Sequence, residues 1–180
     1  MEKNRWTEAQ HYEKNWWLRH AEKMNLRFYE GYAEELLNEI GNYLNIVDDT
    51  VILEIGSGAA GILTFLKSKH RFAIDPLENF YATIPKFSDF RDPTVHYYSG
   101  KGEELPFERN FFDFIIMDNV LDHCDVPHKV MDDQLKRFFS ELSFNCLKMK
   151  RSGYFRVWSR ELTSGRVIDF AKALLFCHTG

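Results

Sequence analysis

The chain has 180 residues, 44% apolar and 28% charged, with a formal net charge of −4. That length fits one domain with a sizeable core, and the composition excludes wholesale disorder. No apolar run approaches the roughly 18 residues of a membrane span, the N-terminus lacks the apolar stretch of a secretory signal, and residues 1–130, with 14 Lys/Arg against 22 Asp/Glu, argue against tight nonspecific nucleic-acid binding.

Thr7 and Gln10 have the spacing of a helix capping box. Tyr12, Trp16 and His20, and likewise Trp17, Ala21 and Met24, recur at helical intervals. Gly31 predicts a weak point, after which Tyr32, Leu36, Leu37, Ile40 and Leu44 continue an apolar face. Residues 1–46 thus read as a helical segment ahead of a core over 47–180. Val51–Ile55 is a β-branched apolar run ending at Gly56, a first buried strand. A helix carrying Ile62, Leu63 and Leu66 is expected next, then strands over Phe72–Asp75, Thr94–Tyr98 and Phe112–Met117. A helix with Met131, Leu135, Phe138, Phe139, Leu142 and Cys146 follows, then a fifth strand over Tyr154–Ser159 and a last helix with Ile168, Ala171, Leu174 and Leu175. Short apolar strands alternating with amphipathic helices predict an α/β fold of parallel βαβ units with helices on both sheet faces. Such sheets bind ligands beyond the carboxyl ends of their strands, so the residues just after each strand are the ones to read for chemistry.

Glu54-Ile55-Gly56-Ser57-Gly58-Ala59-Ala60-Gly61 follows the first strand. Gly56 and Gly58 let the backbone turn sharply and approach a ligand, and the expected helix would point its free N–H groups there. Read literally, Gly56, Gly58 and Gly61 also fit the G-x-G-x-x-G dinucleotide pattern. Asp75 ends the second strand 21 residues after Glu54, where a carboxylate can accept both hydroxyls of a ribose. NAD and S-adenosylmethionine both carry that ribose.

Three stretches resemble the class I S-adenosylmethionine-dependent methyltransferases, of the small-molecule type. Leu53-Glu54-Ile55-Gly56-Ser57-Gly58 is similar to that family's acidic-x-Gly-x-Gly motif. Gly102-Glu103-Glu104-Leu105-Pro106-Phe107 is similar to its Ala-Glu-x-Leu-Pro-Phe segment after strand three, and Phe112-Asp113-Phe114-Ile115 with Val120-Leu121-Asp122-His123 to its strand-four motif. The matches keep the family's order across residues 48–160, and the second and third speak against NAD. The resemblance implies a Rossmann-like sheet of order 3-2-1-4-5, S-adenosyl-L-methionine as cofactor and S-adenosyl-L-homocysteine as product. It implies that Glu54 attracts the ammonium of the amino-acid tail beside the Gly56-Ser57-Gly58 loop, and that Asp75 holds the ribose hydroxyls. Leu77 and the segment around Gly102 and Glu103 would flank adenine, with Met117 and Asp118 facing the methionine part and the methyl group. Asp113, at the start of strand four, reads as structural. Departures are Ala60 in place of the loop's third glycine, Lys101 where an acidic residue is common, and a longer, basic Leu147–Gly153 before strand five. Five strands are visible where the family has seven.

Other candidates rest on the residues alone. His123 is a candidate general base, and Asp118 a second catalytic candidate. His123, Cys124 and His128 with Asp122 and Asp125 lack a second ligand pair at a familiar zinc spacing, so no metal is expected. Tyr12, Trp16, Trp17 and His20 could cover the acceptor pocket as a lid, and the basic stretch 148–166 reads as a solvated surface. Neither Asn/Asp-Pro-Pro-Tyr nor Pro-Cys follows strand four, which with the acidic body favours a small-molecule acceptor over a nucleic acid. Three separated cysteines without Cys-x-x-Cys point to a reduced, cytoplasmic compartment. The alternatives are a non-catalytic S-adenosylmethionine-binding regulatory or scaffold protein and an NAD-dependent oxidoreductase. Strand five, as a sheet edge, is the expected site of a homodimer.

Overall fold

The computed structural model describes residues 5–41, 44–109, 111–118, 120–126, 128–130 and 155–159. The two C-terminal helices expected from the sequence, and most of the basic stretch, lie outside these residues. Helix α1 spans Arg5–His20, so Thr7 sits inside its first turn and is not its N-cap, contrary to the capping-box expectation. A 3-10 turn, Ala21–Lys23, and an extended Met24 end that helix. Helix α2 then runs over Leu26–Ile40, and its N-cap Asn25 accepts the Arg27 N–H at 3.0 Å. Such a cap contributes about 1 kcal/mol. The helix passes through Gly31 unbroken, so the break falls at the Asn25 cap rather than at the glycine.

Strands β1 (Val51–Ile55), β2 (His70–Asp75), β3 (His96–Ser99), β4 (Phe114–Asp118) and β5 (Phe155–Ser159) form one sheet of order β3-β2-β1-β4-β5. The first four are mutually parallel, the Rossmann-like arrangement the sequence predicts. Strand β5 departs from the expected parallel units: it runs antiparallel to β4, with Phe155 opposite Asp118 and Ser159 opposite Phe114. The last residue of β4 and the first of β5 therefore lie at the same end of the sheet. Between β1 and β2 only residues 56–69 are available, and the expected helix is reduced to a 3-10 turn, Leu63–Phe65. Two short helices, α3 (Glu78–Tyr81) and α4 (Pro85–Ser88), link β2 to β3.

Strand alternation divides the core. Ile52, Ala73, Phe114 and Ile116 face α2, packing with Ala33, Leu36, Ile40 and Leu63. Leu53, Ile55, Ile74, Ile115 and Met117 face the other way, against Leu105, Phe112 and Val130. A Leu or Ile buried like these contributes about 1.5–3 kcal/mol. Asp113 serves the sheet as expected: its Oδ2 accepts the Val51 N–H at 2.9 Å, while its own N–H donates to the Val51 carbonyl. Among the described residues, no helix is long and apolar enough to cross a membrane.

Candidate functional site

The carboxyl ends of β1, β2 and β4 open into a cavity of about 520 Å³, roofed by α1 and walled on one side by α2. That volume is in the range of small-molecule and cofactor sites. The turn after β1 shapes its floor. Gly56, Gly58 and Gly61 all have positive φ, between 61° and 72°, a region that residues with a β-carbon rarely enter. At Gly61 there is also a neighbour to respect: an added Cβ would lie 2.6 Å from Glu54 Oε2. The Glu54 carboxylate fills that space and accepts the Ile62 N–H at 3.2 and 3.1 Å. The third glycine of the literal dinucleotide pattern therefore makes room for a side chain of β1 and opens no helix. The expectation of helix N–H groups aimed at the ligand is corrected accordingly.

Glu54, Asp75 and Asp118 share strand parity with the α2-facing residues, which brings them onto one side of the sheet. Asp75 Oδ2 accepts the Gly58 N–H at 3.0 Å and Oδ1 the Leu77 N–H at 2.8 Å, so one carboxylate holds the ends of two loops. Arg91 braces the same loops. Its guanidinium makes a two-pronged pair with Glu78, and its Nε–H donates to the Ala59 carbonyl at 3.0 Å. Glu103 accepts the Val126 N–H at 3.0 Å and ties the 101–105 segment to the chain after β4.

The electrostatics are lopsided. Glu13, Glu54, Asp75, Glu103 and Asp118 line the cavity, and no Lys or Arg is among the described lining residues. Burial pushes the Glu54 carboxyl up to about 8, against the pull of the Ile62 and Leu63 N–H groups. Burial likewise lifts Asp75 to about 6, opposed by Leu77 and Gly58. Asp118 is raised by burial, opposed by its hydrogen bond with Tyr32. Burial also raises Tyr29 to about 12, with the Glu54 charge adding to it. A positively charged ligand would relieve all of these groups together.

Helix α1 presents Trp6, Gln10, Glu13 and Trp17 to the cavity at helical spacing. Trp17 packs against Tyr81 and Phe87, and its Nε1–H donates to Glu13 at 2.9 Å. Lys101 is drawn away from a recognition role: its Nζ sits 3.6 Å from the centre of the Trp6 ring, a cation–π contact.

Of the residues the sequence nominates, Glu54, Gly56, Ser57, Gly58, Asp75, Leu77, Gly102, Glu103, Asp118 and His123 all line this cavity. Met117 does not. It is 2% exposed in the core on the opposite face, because neighbours on a strand point to opposite sides. Trp16, Trp17 and Tyr12 also reach the cavity, whereas His20 does not line it and stacks on Trp16 instead. Tyr29 and Tyr32 of α2 also line the cavity, a role that the apolar helix face of Tyr32 does not by itself announce. Their i, i+3 spacing, set against the parity of Glu54 and Asp118, was the available signal. No group of three or more His, Cys, Asp or Glu side chains arranged for a metal ion occurs among the described residues.

A family model described as a methyltransferase domain matches residues 53–142, half of the chain. The chain belongs to the class I S-adenosylmethionine-dependent methyltransferases. No curated protein matches it. Among solved structures, the chain is similar to the YcgJ protein of Bacillus subtilis, at 18% identity and TM-score 0.48, over 58% of this chain and 45% of that one. It is similar to an Anabaena variabilis protein named for a methyltransferase of an antibiotic biosynthesis pathway, at 22% identity and TM-score 0.44, over 57% and 40%. A Methanococcus maripaludis protein named for an S-adenosyl-L-methionine-dependent methyltransferase aligns over 92% of this chain and 98% of its own, at 11% identity and TM-score 0.50, a likeness of fold. The chain thus spans less than half the length of the first two. The family assignment leaves the NAD-dependent reading without support.

Proposed function

We propose that this chain binds S-adenosylmethionine in the cavity at the ends of β1, β2 and β4 and transfers its methyl group to a small-molecule acceptor. The observation that carries the reading is the collection of five carboxylates in one cavity whose described lining has no Lys or Arg. The residues present fit the cofactor. Buried Glu54, with its carboxyl pushed up to about 8, is suited to a cationic neighbour. Asp75 uses one lone pair on each oxygen for a backbone N–H and keeps the others for hydroxyl donors, as a ribose requires. Leu77 and the Gly102-Glu103 segment, which line the cavity, are the residues to flank the adenine, and Gly56-Ser57-Gly58 allows close backbone approach.

The bound cofactor supplies a methyl group already activated on a sulfonium. The chain's own task is then positioning and exclusion of water. Helix α1 serves it by covering the glycine loop, and the aromatic rings of α1 and α2 by walling the cavity. Asp118 and His123 are the candidate groups for holding or accepting the acceptor's proton. A cavity of about 520 Å³ suits a small acceptor.

Competitive thermal-shift titration separates the cofactor readings. S-adenosylhomocysteine should raise the melting temperature by mass action, and NAD should not. Asp75→Ala should weaken the homocysteine nucleoside by about 1–3 kcal/mol, as for a lost charged hydrogen-bond partner. Label transfer from methyl-labelled cofactor to a panel of small acceptors then tests catalysis. Binding without transfer to any acceptor would favour the non-catalytic alternative, and no binding would refute the proposal.

A further inference from the structure

The cavity gathers more carboxyl groups than its proposed cofactor has cationic centres to face. S-adenosylmethionine carries a sulfonium, an ammonium and a carboxylate, one net positive charge, against five carboxylates. Glu54, Asp75 and Glu103 are committed to loop N–H groups. Asp118 differs. Strand parity aims it at α2, where it is hydrogen-bonded with the Tyr32 hydroxyl. Its Oδ1 is buried and has no partner among the described residues. A buried acceptor in that state calls for a donor.

Aromatic rings continue from this carboxylate to the mouth of the cavity. Phe28 stacks on Tyr32 with ring centroids 5.6 Å apart and planes 17° apart. Phe28 is 65% exposed, an unusual degree for a phenylalanine, and Trp16 is 38% exposed; both line the cavity. An apolar body therefore has the stacked Tyr32 and Phe28 rings to lie on, beside the carboxylate that Tyr32 bonds.

We propose that the region between Asp118 and the α2 rings takes the acceptor as an organic amine in its cationic form. The ammonium would donate to Asp118 Oδ1 and give up one proton, to that carboxylate or to His123, to free the lone pair that takes the methyl group as S-adenosylhomocysteine leaves, and the apolar body would lie on Phe28, Tyr32 and Trp16. Two features select this class over its rivals. An unpartnered carboxylate oxygen prefers a charged N–H donor to a neutral hydroxyl, and aromatic faces attract cations. An anionic acceptor finds no lining Lys or Arg among the described residues and meets repulsion instead. This inference rests on the proposed function for calling the amine an acceptor, but the binding preference stands by itself.

Three probes that share a phenylethyl body test it: 2-phenylethylamine, 2-phenylethanol and 3-phenylpropanoate. Each is titrated into the full chain with and without saturating S-adenosylhomocysteine, with affinity read by saturation-transfer NMR and calorimetry. Failure of the homocysteine nucleoside to bind counts against the proposed function alone, since the probe preference is also read without it. The amine should bind about tenfold or more tightly than either partner, and Asp118→Asn should erase that preference in a variant that melts normally. Phe28→Ala removes an exposed ring, so it is the control should Asp118→Asn misfold; it should weaken the amine by about threefold or more. Equal binding of the three probes, a preference that survives Asp118→Asn, or amine affinity unmoved by Phe28→Ala would each overturn the inference.

Discussion

Replacing Gly58 with alanine tests where α1 meets the glycine loop, and its cost divides into two separable parts. Gly58 has φ +61°, and holding a residue with a β-carbon in that left-handed region costs about 1–2 kcal/mol. The added Cβ would also lie 2.6 Å from Cζ2 and 3.3 Å from Cη2 of Trp17. That indole cannot swing away easily, because it packs edge-on against Tyr81 at 5.7 Å and Phe87 at 6.0 Å and is bonded to Glu13. Overpacking of this kind costs about 1–3 kcal/mol. Gly58→Ala should therefore destabilise the chain by about 2–5 kcal/mol in urea unfolding. Trp17→Leu removes the obstructing atoms, and in that background the same change should cost only its backbone part, about 1–2 kcal/mol. The double-mutant cycle should thus return a coupling of about 1–3 kcal/mol. An identical cost in both backgrounds would refute the seating of Trp17 on the loop.

Three further predictions follow from the carboxylates and the sheet. Glu54 and Asp75 titrate near 8 and 6 in the fold against ordinary values of 4.5 and 3.8. The folded chain thus binds more protons than the unfolded one; stability from these groups is full below about pH 4 and is lost as pH rises through 6 and 8. Glu54→Gln should flatten the upper part of that urea-midpoint profile, and a slope unchanged between pH 6 and 8 would contradict the assignment. Asp113→Ala strips the Val51 N–H of its acceptor and should cost about 1–3 kcal/mol of stability, with S-adenosylhomocysteine affinity by calorimetry unchanged. Strand β5 ends the described sheet, so light scattering at rising concentration should detect a dimer paired along it; a monomer at every concentration would remove that contact.

The strands were legible because each buried one is a short apolar run closed by a glycine or an aspartate: Val51–Ile55 before Gly56, and the β2 run ending at Asp75. Their order came with the motifs around Glu54, Asp75 and Leu105-Pro106-Phe107. The direction of β5 was not legible, since an apolar run such as Phe155–Ser159 reads the same either way along an edge. Ile62, Leu63 and Leu66 fit helical spacing, yet the chain after β1 forms only a 3-10 turn. Those same side chains satisfy one face of the sheet from a 3-10 turn, and fourteen residues with three positive-φ glycines leave little chain for anything longer. Met117 and Asp118 were nominated together although adjacent strand residues point apart; the alternation already separated them. The contribution of α2 was hidden for a different reason. Tyr29 and Tyr32 belong to a helix whose neighbours bury Leu36 and Ile40, and only docking on the sheet reveals that its first turns overhang the strand ends.

The chain contains four tryptophans, Trp6, Trp16, Trp17 and Trp158, and the first three line one cavity. Three of the four indoles therefore share one cavity with the carboxylates. A compound entering the cavity beside Trp16, which is 38% exposed, displaces solvent from that indole and alters its emission. The chain is in effect its own optical reporter, able to register occupancy in an unlabelled sample before any reaction product is known.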